Sequence, residues 1–185
     1  MEGLTLEPQT AAHASEMFAI LSDPAIYEFE GQPPPSIEWL RDRYLKLESR
    51  CSPDGREQWL NWVIRRPDSR LAGYVQASIH RDGHSDIAYI LSSDYWGKSY
   101  ARRAVEAMIS ELADRYGVHT VRAVFKARNI RSRGLLERLS FQPATSSHLG
   151  KHGIEADELM MCRKTSCAKP AIDRDEAQSK SRNRK

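Results

Sequence analysis

The chain has 185 residues, of which 40% are hydrophobic and 29% charged, enough for one soluble domain with a core of its own. No stretch approaches the roughly 20 apolar residues of a membrane-spanning helix, and Met1 to Thr10 carries acids where a secretory leader has a basic start and an apolar run. Three cysteines, Cys51, Cys162 and Cys167, are an odd number without metal-type spacing, which excludes a fully paired disulfide framework and fits a reducing cytoplasm.

Leu4 to Pro8 alternates and ends in proline, predicting a short strand. Thr10 is placed to cap a helix bearing Met17, Phe18 and Leu21, stopped at Asp23-Pro24. Pro33-Pro34-Pro35 is a stiff connector, and Ser36 caps a second helix whose stripe is Ile37, Leu40, Tyr44 and Leu47. A loop from Cys51 to Arg56 precedes a β-rich block: Gln58 to Ile64, Leu71 to Ile79, a hairpin turn at Asp82-Gly83, and Asp86 to Leu91. The run Ile87-Ala88-Tyr89-Ile90-Leu91 predicts a strand buried on both faces. Lys98 to Tyr116 is the clearest helix, with Ala101, Ala104, Val105, Met108, Ile109 and Leu112 on one side and Gly117 as its stop. Thr120 to Lys126 is a β-branched strand, a short helix carries Leu135, Leu136 and Leu139, and Glu158 to Arg163 is the last strand, with one further strand expected near Thr145. There is no internal repeat. The order predicts an α+β fold: a mixed sheet of six or seven strands flanked by about four helices, hairpins first and then a crossover helix joining parallel neighbours.

The expected domain is 1–163. Residues 164–185 hold seven Lys/Arg against three Asp/Glu, a net +4 that leaves residues 1–163 near −1 of the total +3. Almost no large apolar side chain lies there, so the segment is expected to be a disordered basic tail. The domain itself is not basic, which disfavours nucleic acid as a partner except through that tail.

Chemistry concentrates between Ile87 and Ala104. A buried strand runs through Ser92-Ser93-Asp94-Tyr95 into Trp96-Gly97-Lys98-Ser99-Tyr100-Ala101, which opens the long helix. A helix start presents unpaired N–H groups and partial positive charge, Gly97, Ser99 and Ala101 are small, and Lys98, Arg102 and Arg103 add full charges. The pattern is an anion site or an ordinary capped start with solvated basic residues. It is no phosphate-binding P-loop, because Ser93 stands where the second glycine is needed, and no G-x-G-x-x-G occurs.

These residues carry a resemblance. Ile87-Ala88-Tyr89-Ile90-Leu91 with Tyr95-Trp96-Gly97-Lys98-Ser99-Tyr100-Ala101 and Ala104 is similar to the acetyl-coenzyme A motif of GNAT acetyltransferases, in the form seen in the RimJ/RimL branch. Asn129-Ile130-Arg131-Ser132 followed by Leu135-Leu136-Glu137-Arg138-Leu139-Ser140-Phe141 resembles that branch's N-x-x-S-x-x-v-l-E-K-l-G-F. Leu21-Ser22-Asp23-Pro24 and Leu71-Ala72-Gly73-Tyr74 are weaker echoes, and the similarity spans about residues 4–163. Ser99, Ser140 and Ala88 stand where the family has glycine, and Leu136 replaces a tyrosine that other branches use to protonate the leaving thiolate.

The resemblance implies transfer of an acetyl group from acetyl-CoA, as co-substrate, to a primary amine by direct attack in a ternary complex. The acceptor would be a protein α-amine, such as a ribosomal protein N-terminus, or a small polyamine or antibiotic-like amine. It further implies that Trp96, Gly97, Lys98, Ser99, Tyr100, Ala101 and Arg102 hold the coenzyme's phosphates, that a backbone N–H near Ile90 or Leu91 faces the thioester oxygen, and that Asn129 and Ser132 contact the pantetheine arm. Ser132 is also a candidate catalytic hydroxyl. The amine must lose a proton. Asp86 is the candidate base, against a solvated hairpin residue; Glu28 and Glu30 are candidate acceptor-binding acids, against a solvated loop. Asn129 also fits plain helix capping. His148 and His152 do not complete a metal site, so no metal is expected. Trp39, Trp59 and Trp62 are expected in the core, His80 and His84 at the surface, and Arg128, Arg131, Arg133 and Arg138 as a solvated basic group that could also meet the coenzyme's 3′-phosphate or RNA. Two other classes stay open: a coenzyme A-binding regulatory protein without turnover, and a ribosome- or RNA-associated module. The oligomeric expectation is a monomer or homodimer.

Overall fold

The computed structural model describes residues 3–29, 31–145 and 154–165. Seven strands form one sheet in the order β1-β2-β3-β4-β5-β7-β6. They are β1 (Thr5–Pro8), β2 (Gln58–Arg65), β3 (Leu71–Ile79), β4 (His84–Leu91), β5 (Thr120–Lys126), β6 (Gln142–Pro143) and β7 (Glu158–Lys164). Every neighbouring pair is antiparallel except β4 and β5. The strand expected near Thr145 is the two-residue β6. The last strand runs one residue past the expected domain end, and the Thr165 N–H donates to His119 O. Residues 166–185 of the expected tail, together with Glu30, His148 and His152, lie outside the described residues.

Four helices cover the sheet: α1 (Ala14–Leu21), α2 (Ile37–Leu47), α3 (Tyr100–Tyr116) and α4 (Ile130–Arg138). On one face α1 and α2 bury Met17, Leu21, Leu40 and Tyr44 against Val63 and Leu71. On the other, Val105, Met108 and Leu112 of α3 and Leu135 and Leu136 of α4 pack on Leu60, Ile64, Val75 and Ile87. The i, i+3, i+4 stripe of α3 is fully buried, and each such side chain contributes roughly 1.5–3 kcal/mol. Ser36 caps α2 as its sequence predicts, its hydroxyl accepting the Trp39 N–H. At Thr10 the capping bond is reversed: Thr10 N and Oγ1 both meet Nδ1 of His13.

Several expectations shift, beginning with β4, which is not buried on both faces because Ala88 is exposed. Helix α3 begins at Tyr100 rather than Lys98, because Gly97 and Ser99 take left-handed backbone (φ 71 and 62) that cannot continue a right-handed helix. Of the tryptophans only Trp62 is fully buried; Trp39 is 46% exposed, on the outer edge of α2.

The feature that positions a site is a fork. β4 and β5 pair only at His84↔Thr120, Ser85↔Val121 and Asp86↔Arg122, and then diverge. β4 stays paired with β3 along its whole length, from Ser85 to Leu91. The crossover through α3 that joins two parallel strands therefore roofs an opening in the middle of the sheet.

Candidate active site

Antiparallel pairing alternates the direction of backbone polar groups. The bonds His80 N to His84 O and Ser92 N to Ala72 O, both 2.9 Å, fix the phase on β4: even-numbered residues bond to β3. Odd-numbered Tyr89 and Leu91 therefore turn their N–H and C=O away from β3, into the fork. The Leu91 carbonyl accepts the Trp96 indole N–H at 3.2 Å. Of the two residues nominated for a backbone donor, Leu91 has the required direction and Ile90 is committed to β3, with Tyr89 as the position sequence alone does not single out.

The fork opens into a cleft of about 660 Å³. One wall is Ile87 to Leu91 of β4 and the other Ala123 to Phe125 of β5. The start of α3 forms its rim, with Trp96, Gly97, Ser99, Tyr100, Ala101 and Arg102 lining it. A Cβ built on Gly97 meets nothing within 4 Å, so the backbone there is open to a ligand. The N–H groups of Tyr100, Ala101 and Arg102 have no acceptor within the helix, as at any helix start. Lys98 is not among the lining residues; its ammonium lies 5.9 Å from the Tyr95 ring.

Asn129 and Ser132 line the opposite side. Asn129 Oδ1 accepts the Ser132 N–H at 3.0 Å, so the residue caps α4 and still has its amide N–H groups to offer. The Ser132 hydroxyl meets the Tyr89 hydroxyl at 2.6 Å inside the cleft. Burial pushes the Tyr89 phenol up to about 12, partly offset by Ser132, so it is neutral over the working pH range.

The three acids separate. Asp86 is not on the cleft wall. Its two oxygens take the Arg122 guanidinium at 2.8 and 2.9 Å, and His80 Nε2 lies 2.7 Å from one of them. His80 is thereby held inside a polar network with Glu57 rather than exposed as expected. Glu28 is ion-paired with Arg131, and Glu30 is outside the described residues. Phe29, which the sequence does not single out, and Arg131, of the arginine group expected to be solvated or to meet the coenzyme's 3′-phosphate, both line the cleft. Arg131 stacks on Trp96 at 4.3 Å and Phe29 at 5.4 Å. Arg128 donates to Phe29 O at 3.2 Å. Arg128 and Arg131 thus tie the turn after α1 to the start of α4 across the cleft, while Arg133 pairs with Glu137 within α4. Only contacts of high sequence separation reveal this.

A second cavity, about 300 Å³, lies on the other face of β4, between α2, the Pro33-Pro34-Pro35 connector and the Tyr74 and Gln76 side chains of β3. Ile90 lines both cavities. Two compartments therefore meet at one residue in the middle of the sheet. Among the described residues no cluster of metal-binding side chains occurs, and no helix is long and apolar enough to cross a membrane.

Comparison with known proteins agrees with this architecture. Residues 3–142 match the family model described as the acetyltransferase (GNAT) domain. An uncharacterised N-acetyltransferase, p20, from Bacillus licheniformis is 24% identical over 143 residues, covering 76% of this chain and 80% of its own length. Among solved structures, the ribosomal-protein-S5-alanine acetyltransferase of Vibrio fischeri superposes with a TM-score of 0.74 at 20% identity, covering 92% of this chain and 97% of that one. The spermidine N-acetyltransferase of Vibrio cholerae, solved with CoA and spermine, gives 0.72 at 17%, covering 89% and 96%. With its forked mixed sheet, its open α3 start and a family match over most of its length, the chain belongs to the GNAT acetyltransferases, in their RimJ/RimL-like branch.

Proposed function

We propose that the β4/β5 cleft binds acetyl-CoA and that the protein passes its acetyl group directly to a primary amine entering from the α1/α2 face. The observation that carries this reading is the meeting of two cavities at Ile90, one on each face of the sheet. Acetyl-CoA supplies an activated thioester. The chain's own residues supply placement. The bare backbone at Gly97, the N–H groups that open α3 and the Arg102 guanidinium suit a pyrophosphate. Asn129 amide N–H groups suit the polar arm. The Leu91 N–H, directed into the fork, suits an oxygen on which negative charge develops. Holding both reactants at Ile90 removes much of the entropic barrier of a two-substrate reaction.

The amine's proton is the part the site serves least. Asp86 and Glu28 are both engaged by arginines. The engagement of both described candidate acids favours an acceptor whose amine is already partly neutral near pH 7–8, as an α-amine is and a lysine is not. The same engagement favours, as a second reading, a coenzyme-binding protein without turnover. Release of free thiol from acetyl-CoA on adding a panel of amines separates the two. Amine-dependent release supports the enzyme. Binding of acetyl-CoA with no release by any amine supports the second reading.

A further inference from the structure

The second cavity is built for a particular kind of acceptor. Its walls are rings: Tyr27, Trp39, Tyr44 and Tyr74, closed by the three prolines. Its neutral polar groups are the glutamines Gln9, Gln32 and Gln76. Its one charged lining residue, among the described residues, is Arg43. That guanidinium sits 5.7 Å from the Trp39 ring centroid and has no carboxylate partner among the described residues. The Tyr44 hydroxyl, in a residue 3% exposed, lies beside Gln9 and makes no hydrogen bond of good geometry among the described residues.

A polycation entering here would meet an arginine and, among the described lining residues, no carboxylate. The ring faces and glutamine carbonyls would offset part of its lost hydration, but repulsion by Arg43 with no described carboxylate to balance it disfavours a multiply charged cation. An anion on the acceptor instead finds a planar guanidinium suited to two parallel hydrogen bonds. A flat apolar group finds four aromatic rings. The amine finds Ile90, which lines both cavities.

We infer that the acceptor is a small α-amine carrying an aromatic group and a carboxylate, the chemistry of a short peptide whose first residue is aromatic, with Arg43 holding the carboxylate. This rests on the acetyltransferase reading above and deepens it. Arg43 is exposed where it lines the cavity, so its substitution leaves the core untouched.

The test is acetyl-CoA-dependent thiol release by the full chain with four probes: the dipeptide Phe-Gly, its C-terminal amide, free phenylalanine and spermidine. We expect kcat/KM for Phe-Gly to exceed that for its amide by about tenfold or more, the scale of a charge-assisted pair. In Arg43→Gln the preference should vanish, kcat/KM for Phe-Gly falling to about that for its amide. Free phenylalanine separates amino acid from peptide as the source of this chemistry; either may lead, provided it outperforms spermidine. Spermidine matching or exceeding both aromatic acids overturns the inference while leaving the acetyltransferase standing. Equal use of Phe-Gly and its amide by the unmodified protein also overturns it. No thiol release with any probe, spermidine included, while coenzyme A still binds, removes both this inference and turnover.

Discussion

At two motif positions a serine holds backbone that glycine adopts more cheaply. Ser99 has φ 62 and Ser140 φ 63, and both stand where the resembling motifs carry glycine. A left-handed non-glycine residue costs about 1–2 kcal/mol, while glycine's greater freedom in the unfolded chain returns about 0.5–1 kcal/mol of that. Ser140→Gly is therefore expected to raise stability by about 0.5–1 kcal/mol in urea denaturation without changing coenzyme affinity, since Ser140 lies outside the cleft. Ser99→Gly should stabilise similarly. Because Ser99 lines the cleft and its hydroxyl makes no cap bond, that hydroxyl is free to meet a phosphate. Coenzyme binding should then weaken several-fold, in contrast to Ser140→Gly. The serines were readable as departures from a motif; their backbone angles were not, because no periodicity encodes φ.

At the scale of elements, the fork between β4 and β5 matters most. Asp86 and Arg122 face each other at the last register pair before the strands part, so their ion pair pins the point where the cleft begins. Arg122 is only 5% exposed, and losing the Asp86 carboxylate leaves its buried charge less compensated. Asp86→Asn is expected to lower stability by about 2 kcal/mol, discounted because the Asp86 side chain is partly exposed. Activity per folded molecule should stay within about threefold. A fall of about 10²-fold in kcat/KM at unchanged melting temperature would instead give Asp86 the proton. Sequence could mark an acid at the start of the central strand. It could not see that an arginine 36 residues later on a parallel neighbour, and a histidine across the hairpin, would claim the carboxylate. The strands and helices themselves were legible, because their signal is local: alternation in Leu71–Ile79, the stripe of α3, Ser36 before α2. The second cavity was not. Pro33-Pro34-Pro35, Trp39 and Tyr44 read as a connector and a helix stripe, and only the packing of α2 over β3 and β4 turns them into walls.

The whole molecule carries a pH signature that follows from burial. Tyr89 is pushed up to about 12 and burial also raises Tyr44, while an unfolded tyrosine titrates near 10. Between pH 10 and 12 the unfolded chain releases protons that the folded chain keeps, so stability is fully present below pH 10 and declines as pH rises through that window. Urea midpoints measured from pH 9 to 11.5 should show this decline, and Tyr89→Phe should flatten it; an unchanged slope would mean that Tyr89 ionises as freely in the folded state. The central claim is that the open start of α3 is the coenzyme site, and calorimetric titration of coenzyme A into the protein and into Gly97→Asp tests it most directly. Gly97 has room for a side chain, and its left-handed backbone costs aspartate about 1 kcal/mol, so the variant should fold with a melting temperature a few degrees lower. Saturable binding of one coenzyme A per chain, weakened at least about tenfold in Gly97→Asp measured well below that melting temperature, is the predicted result. Equal affinity in both proteins, or no binding to the unmodified chain, would contradict it.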